Sequence, residues 1–239
     1  METREFRSTL SLSKIVKALL IVQLATGIVM ITLNIAGLTW FPEMGTSEEM
    51  PGTAEVLYGL VALGVAAVSI LSFIATVVFF LIWLHRSYVN LAAIPGAEQP
   101  AAPGWAVGVW FVPIVNLFLP LKIVNDLYRA SDPVNLGGES VISYGGAPAA
   151  HGVWWGFWIV GNILGQISFR LMIDAETAEQ VSIATIIDIF SSMCAVIAAY
   201  LIFKIVGEIT TRQEEIGGTL LMRDPPQPPT FAQEGSVGI

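Results

Sequence analysis

Hydrophobic positions along this chain come in long unbroken runs. Ala18 to Pro42 and Val56 to Leu84 carry no charge, and each exceeds the roughly 20 apolar residues that cross a hydrocarbon core about 30 Å thick. Five apolar segments are legible, at about 18–38, 57–84, 105–121, 152–173 and 181–203. Four of them predict transmembrane helices. The third holds Pro113 and Pro120 in the run WFVPIVNLFLP and is entered through Pro103 and Gly104. Proline removes a backbone donor and clashes with the preceding turn, so two of them make a poor lone span. We expect residues 103–131 to form a proline-broken segment, either re-entrant or interfacial, marked by Trp110, Pro113, Asn116 and Pro120. At its end, Ile123, Val124, Leu127 and Tyr128 recur at helical spacing among Lys122, Asp126 and Arg129. That pattern predicts a short amphipathic helix.

The predicted fold class is an all-α integral membrane protein, with four transmembrane helices as two hairpins and the broken segment between helices 2 and 3. A segment 1–17 precedes the membrane domain 18–207, and a tail 208–239 follows it. The last helix is expected to run on through ITTRQEEIGG, with proline-rich disorder toward the end of the tail. The apolar run after Lys17 is longer than the roughly 7 to 15 residues of a secretory signal, so the first helix is expected to be retained.

Composition agrees with a membrane location: 54% of residues are hydrophobic and 13% charged. The net charge of −8 argues against nucleic acid as a partner, because a phosphate backbone requires a cationic surface. Charge placement then decides topology. Five crossings would divide the basic residues almost evenly. If segment 105–121 fails to cross, only Arg170 lies outside, and the other ten of the 11 Lys and Arg residues share one side. The positive-inside rule selects that second arrangement, with both termini cytoplasmic. The connections Thr39 to Glu55 and Asp174 to Gln180 are then external, acidic and free of Lys and Arg.

Polar residues within the spans supply the candidate chemistry. Asp188 is the acidic residue inside the last apolar run, and an ionisable group at that depth is costly enough to suggest function. Counted from the connection between the last two helices, Gln166 lies at the same depth, with Asn162 and Ser192 one turn further in. These four form a candidate intramembrane cluster: either a cation or proton site, or polar contacts that tie helices together. Gly152, Gly156, Gly161 and Gly165 form two small-xxx-small pairs and predict a close helix-packing face. Gln23, Gly27, Met30 and Asn34 align on the first helix, and Val65, Ser69, Ser72 and Thr76 on the second. Both stripes are expected to face the bundle interior. His85 and His151 read as loop histidines and, with the single Cys194, show no metal-ligand spacing. Nucleophile, zinc and nucleotide fingerprints are missing, so neither an enzyme nor a cofactor is expected.

Several ordered motifs between Phe80 and Leu171 carry a resemblance. They are Leu84-His85-Arg86 with Asn90-Leu91, Pro103-Gly104-Trp105, Trp110-Phe111-Val112-Pro113, Asn116-Leu117-Phe118 and Pro120. Asp126-Leu127, Arg129-Ala130-Ser131, Trp154-Trp155 and Asn162-Ile163-Leu164 follow. Together they resemble a bacterial membrane family catalogued as domain of unknown function 4328. The chain departs from that pattern at Leu121-Lys122, where an aromatic residue and Arg or Gln are expected. The resemblance implies a multi-pass protein of the bacterial plasma membrane and supplies no substrate, cofactor or catalytic residue. The expected function is a non-enzymatic structural or interaction module, a homo-oligomer or one bound to a membrane protein partner. The alternative is a small cation- or proton-coupled transporter or channel using Asp188.

Overall fold

The computed structural model describes residues 5–41, 50–94, 97, 99–133 and 147–223. Among these the ordered elements are all helical. Helix α1 spans Leu10–Trp40, α2 Thr53–Leu91, α3 Pro103–Gly108, α4 Leu119–Ala130, α5 Ala149–Ile173 and α6 Ala178–Arg223. Helices α1, α2, α5 and α6 are long and apolar enough to cross a membrane. Residues 224–239 of the expected disordered tail lie outside the described residues.

The segment between α2 and α5 is interrupted where proline chemistry requires it. After α3 a single 3-10 turn covers Val109–Phe111, and Val112 is extended, the conformation that a following proline imposes on its neighbour. A second 3-10 turn, Val115–Leu117, precedes α4. Pro103 and Pro120 sit in the first turns of α3 and α4, where a missing N–H costs nothing. Helix α4 buries Ile123, Val124, Leu127 and Tyr128, the face expected from its spacing.

Packing orders the long helices as an arc, α2–α1–α6–α5. Between α1 and α2, Gln23 Nε2 donates to Ser69 O at 2.9 Å, and Tyr58 OH donates to Leu33 O at 2.9 Å. Between α5 and α6, Ser191 Oγ donates to Gly161 O and Ser168 Oγ to Ala184 O, both at 2.9 Å. The ends of the arc, α2 and α5, make no substantial contact with each other. They are bridged through Trp110, whose ring meets Phe80 of α2 at 5.4 Å and Trp155 of α5 at 5.8 Å.

Burial is strongly uneven along the bundle. Trp83, Leu84, Tyr88, Leu91, Val109, Val124, Leu127, Ile209, Gln213 and Ile216 are fully buried at the end where α2, α4 and the second half of α6 converge. Toward the other end Ile28, Ile35, Leu60, Leu63, Phe169, Ile173 and Phe190 are exposed. Apolar surface of that extent requires a lipid environment. The buried end is built like a soluble core. Several of its polar groups are paired: Gln213 Nε2 donates to Ser87 O and Ser131 Oγ at 3.0 Å each, and Trp83 Nε1 to Thr210 Oγ1 at 3.0 Å, whereas the buried Ser87 hydroxyl has no partner among the described residues. The N-terminal segment joins this core. Thr9 N and Ser8 Oγ donate to Glu214 Oε1 at 2.7 and 2.9 Å, placing a carboxylate at the start of α1, where the helix dipole favours it.

Candidate functional site

Inside the arc lies a cavity of about 640 Å³, in contact with all four long helices and with the broken segment. On α1 its lining runs from Val16 to Met30, roughly 20 Å at 1.5 Å per residue, so the space is elongated. Because α2 and α5 do not pack together, the arc leaves the cavity unclosed on the side of Phe73 and Phe169, both exposed. Its floor is aromatic. Trp110, Trp154 and Trp158 line it, and Trp155 stacks on Trp158 at 4.7 Å while donating through Nε1 to Leu117 O at 2.9 Å.

None of the described lining residues is ionisable. The polar ones are neutral, and several are already engaged. Gln23 Nε2 also donates to Ser72 Oγ, Thr76 Oγ1 to Ser72 O at 2.7 Å, and Asn162 Nδ2 to Trp158 O at 2.7 Å. Gln166 and Ser192 have no side-chain hydrogen bond to any described residue. In the floor, Trp110 Nε1 and Asn116 Oδ1 are buried without partners among the described residues.

The polar residues of the spans are therefore divided between two places. Asn162, Gln166 and Ser192 line the cavity. Asp188 lies outside that lining and accepts a hydrogen bond from Asn34 Nδ2 of α1 at 2.8 Å. Matching depths along two helices is insufficient here because α6 has two neighbours: Asp188 serves α1, and Ser191 serves α5. Of the four glycines on α5, two pack closely. A Cβ on Gly161 would lie 3.2 Å from Cys194 Cβ and 3.4 Å from Ser191 O, and one on Gly165 would lie 3.0 Å from Ser191 Oγ. Gly152 and Gly156 have nothing within 4 Å. Trp110 and Asn116 line the floor of the cavity, Pro113 marks the break, and Pro120 opens α4.

The histidines are not in loops. His85 is an exposed residue of α2, whereas His151 is buried in the first turn of α5. His151 Nδ1 hydrogen-bonds Asn125 Oδ1 at 2.7 Å, and its ring lies edge-on to Tyr128 at 5.0 Å. Tyr128 OH in turn donates to Glu208 Oε1 at 2.9 Å and accepts from Arg212 at 2.6 Å, with that guanidinium over the phenol ring. Burial and the bond to Glu208 push the Tyr128 phenol above its ordinary pKa, and the Arg212 charge opposes them. This network links α4, α5 and α6, and no motif announced it. Its signal was the i, i+4 spacing of Glu208 and Arg212 on a helix that continues past the last apolar run.

The comparisons with known proteins speak to family alone. No curated protein and no solved structure matches the chain. The family model described as "Domain of unknown function (DUF4328)" matches residues 48–211, from just before α2 well into α6. That match takes in the floor of the cavity, three of its four walls and every motif quoted above, and the chain accordingly belongs to this family.

Proposed function

We propose that this chain is a non-enzymatic interaction module of the bacterial plasma membrane, and that what it holds is a molecule drawn from the bilayer. The observation that supports this reading is the elongated cavity with an uncharged lining, open between α2 and α5. A space of this size falls in the range that small-molecule sites occupy. Serines line it, yet no described lining residue can act as their base, and nucleophilic catalysis needs that pairing. An alkyl probe carrying a diazirine, added to the protein in lipid nanodiscs, tests the reading. Saturable adducts are expected at Phe73, Gln166 and Phe169, competed by unlabelled lipid. Labelling confined to the outward residues Ile163 and Ile167 would overturn it.

We place both termini on the cytoplasmic side. After Cys194 is replaced by Ala, an impermeant maleimide applied to intact cells is expected to label Thr177→Cys and leave Gly218→Cys unlabelled. The opposite pattern would reverse the orientation.

One observation favours a second reading, a cation- or proton-coupled transporter: Asp188 sits within an apolar span. Asp188→Asn separates the two. The amide keeps an acceptor for Asn34 and removes the titratable charge. Under the first reading the variant should match the parent in yield, assembly and apparent Tm. Proteoliposomes in which the parent carries pH-dependent cation flux and the variant does not would establish the second.

A further inference from the structure

Asn162 and Gln166 are four residues apart and share one face of α5. Both line the cavity and both are exposed. Counting back from Ile173 at the end of α5, Gln166 lies roughly 10 Å and Asn162 roughly 16 Å along the helix, well inside a hydrocarbon core of about 30 Å. Gln166 has no partner among the described residues, and Asn162 uses one amide hydrogen on Trp158 O, leaving its Oδ1 and second hydrogen free. Amides left unpaired in hydrocarbon are costly. A complementary group that reaches this depth would satisfy them when the protein is in its membrane.

The lining limits what that group can be. A phosphate, carboxylate or ammonium head would have to leave the interface and enter a space that offers no opposite charge, a heavy cost at mid-bilayer. A hydroxyl or carbonyl head loses far less. Amides can also serve both needs of a hydroxyl, donating through N–H and accepting through the side-chain oxygen. The elongated, largely apolar space beyond accommodates an apolar chain.

We infer that the cavity binds a lipid with an uncharged, hydroxyl- or carbonyl-bearing head, and that the Asn162 and Gln166 amides recognise this head. The inference rests on the reading of the cavity as a lipid-holding site and names the class of lipid.

The test uses the full chain in phosphatidylcholine nanodiscs and three diazirine probes of equal chain length: an alcohol, an alkane and a carboxylate. The alcohol should label the cavity residues with about tenfold higher apparent affinity than the alkane, the worth of one or two well-made hydrogen bonds. Gln166→Leu and Asn162→Leu should bring the alcohol down to the level of the alkane while leaving alkane labelling and apparent Tm unchanged. Equal labelling by alcohol and alkane, tighter labelling by the carboxylate, or insensitivity to both variants would overturn the head-group inference and leave the lipid-holding reading intact. Failure of every probe to label the cavity saturably would overturn both.

Discussion

Replacing Trp83 with Ala should destabilise the protein by about 3 to 5 kcal/mol, the usual cost of deleting a buried aromatic side chain. Trp83 is fully buried at the converging end of the bundle. Its ring packs on Phe80 at 5.6 Å, and its Nε1 donates to Thr210 Oγ1. Truncation would open a void between α2 and α6 and leave the Thr210 hydroxyl unpaired, two penalties that add. In detergent the apparent Tm should fall by about 10 °C or more, measured at one fixed heating rate. Trp83→Phe retains most of the apolar contact and should cost about 1 kcal/mol, the value of a single hydrogen bond. If the Ala variant melts like the parent, the converging end does not hold the bundle together.

The second large effect is expected on α5. Gly161→Leu forces a side chain against Cys194 and the Ser191 carbonyl. A backbone oxygen cannot rotate out of the way as a side chain can. Separation of α5 from α6 should therefore cost about 3 kcal/mol, at the upper end for overpacking, and the Ser191 bond to Gly161 O would be lost with it. The variant should elute broadly on a sizing column and melt early. Gly156→Leu is the contrast, because nothing lies within 4 Å of that position. It should leave the apparent Tm unchanged. If copies of the chain assemble through the open Gly152 and Gly156 surface, Gly156→Leu should reduce the oligomer without lowering the Tm. An early melt for Gly156→Leu would contradict the packing described here.

Long apolar runs made the four spanning helices legible, because hydrocarbon tolerates few other structures. Their ends were less so. Span lengths taken from bilayer thickness stop at Leu84 and Phe203; α6 runs on through ITTRQEEIGG as expected and reaches Arg223, whereas the extension of α2 to Leu91 was not foreseen. Beyond the hydrocarbon these helices are held by packing in the buried end. There Ile205, Ile209, Gln213 and Ile216 face inward at spacings of three and four while charged residues occupy the outer face. That pattern was present in the sequence but weaker than the apolar signal beside it. The candidate cluster shows a different limit. Counting along a helix sets depth alone, and Asn162, Gln166 and Ser192 line one cavity. Azimuth depends on the order of neighbours around the arc, which no count supplies, and it is azimuth that sends Asp188 to Asn34. The aromatic floor of Trp110, Trp154 and Trp158 joins residues some 40 positions apart through a proline break, and local periodicity carries no information across such a break.

The clamp on the N-terminal segment also bears on how the chain is made. Arg7 bonds Asn90 through both its N–H and its carbonyl, Thr9 bonds Glu214, and the Phe6 ring lies against Gly217. Residues 6 to 9 are therefore held by partners that a ribosome adds late, the last of them more than 200 residues downstream. During synthesis at about 5 to 20 residues per second, the Thr9 N–H waits for the Glu214 carboxylate until most of α6 has been made. A nascent chain arrested before Glu214 would lack this partner, so the clamp closes only once α6 has been made to that point.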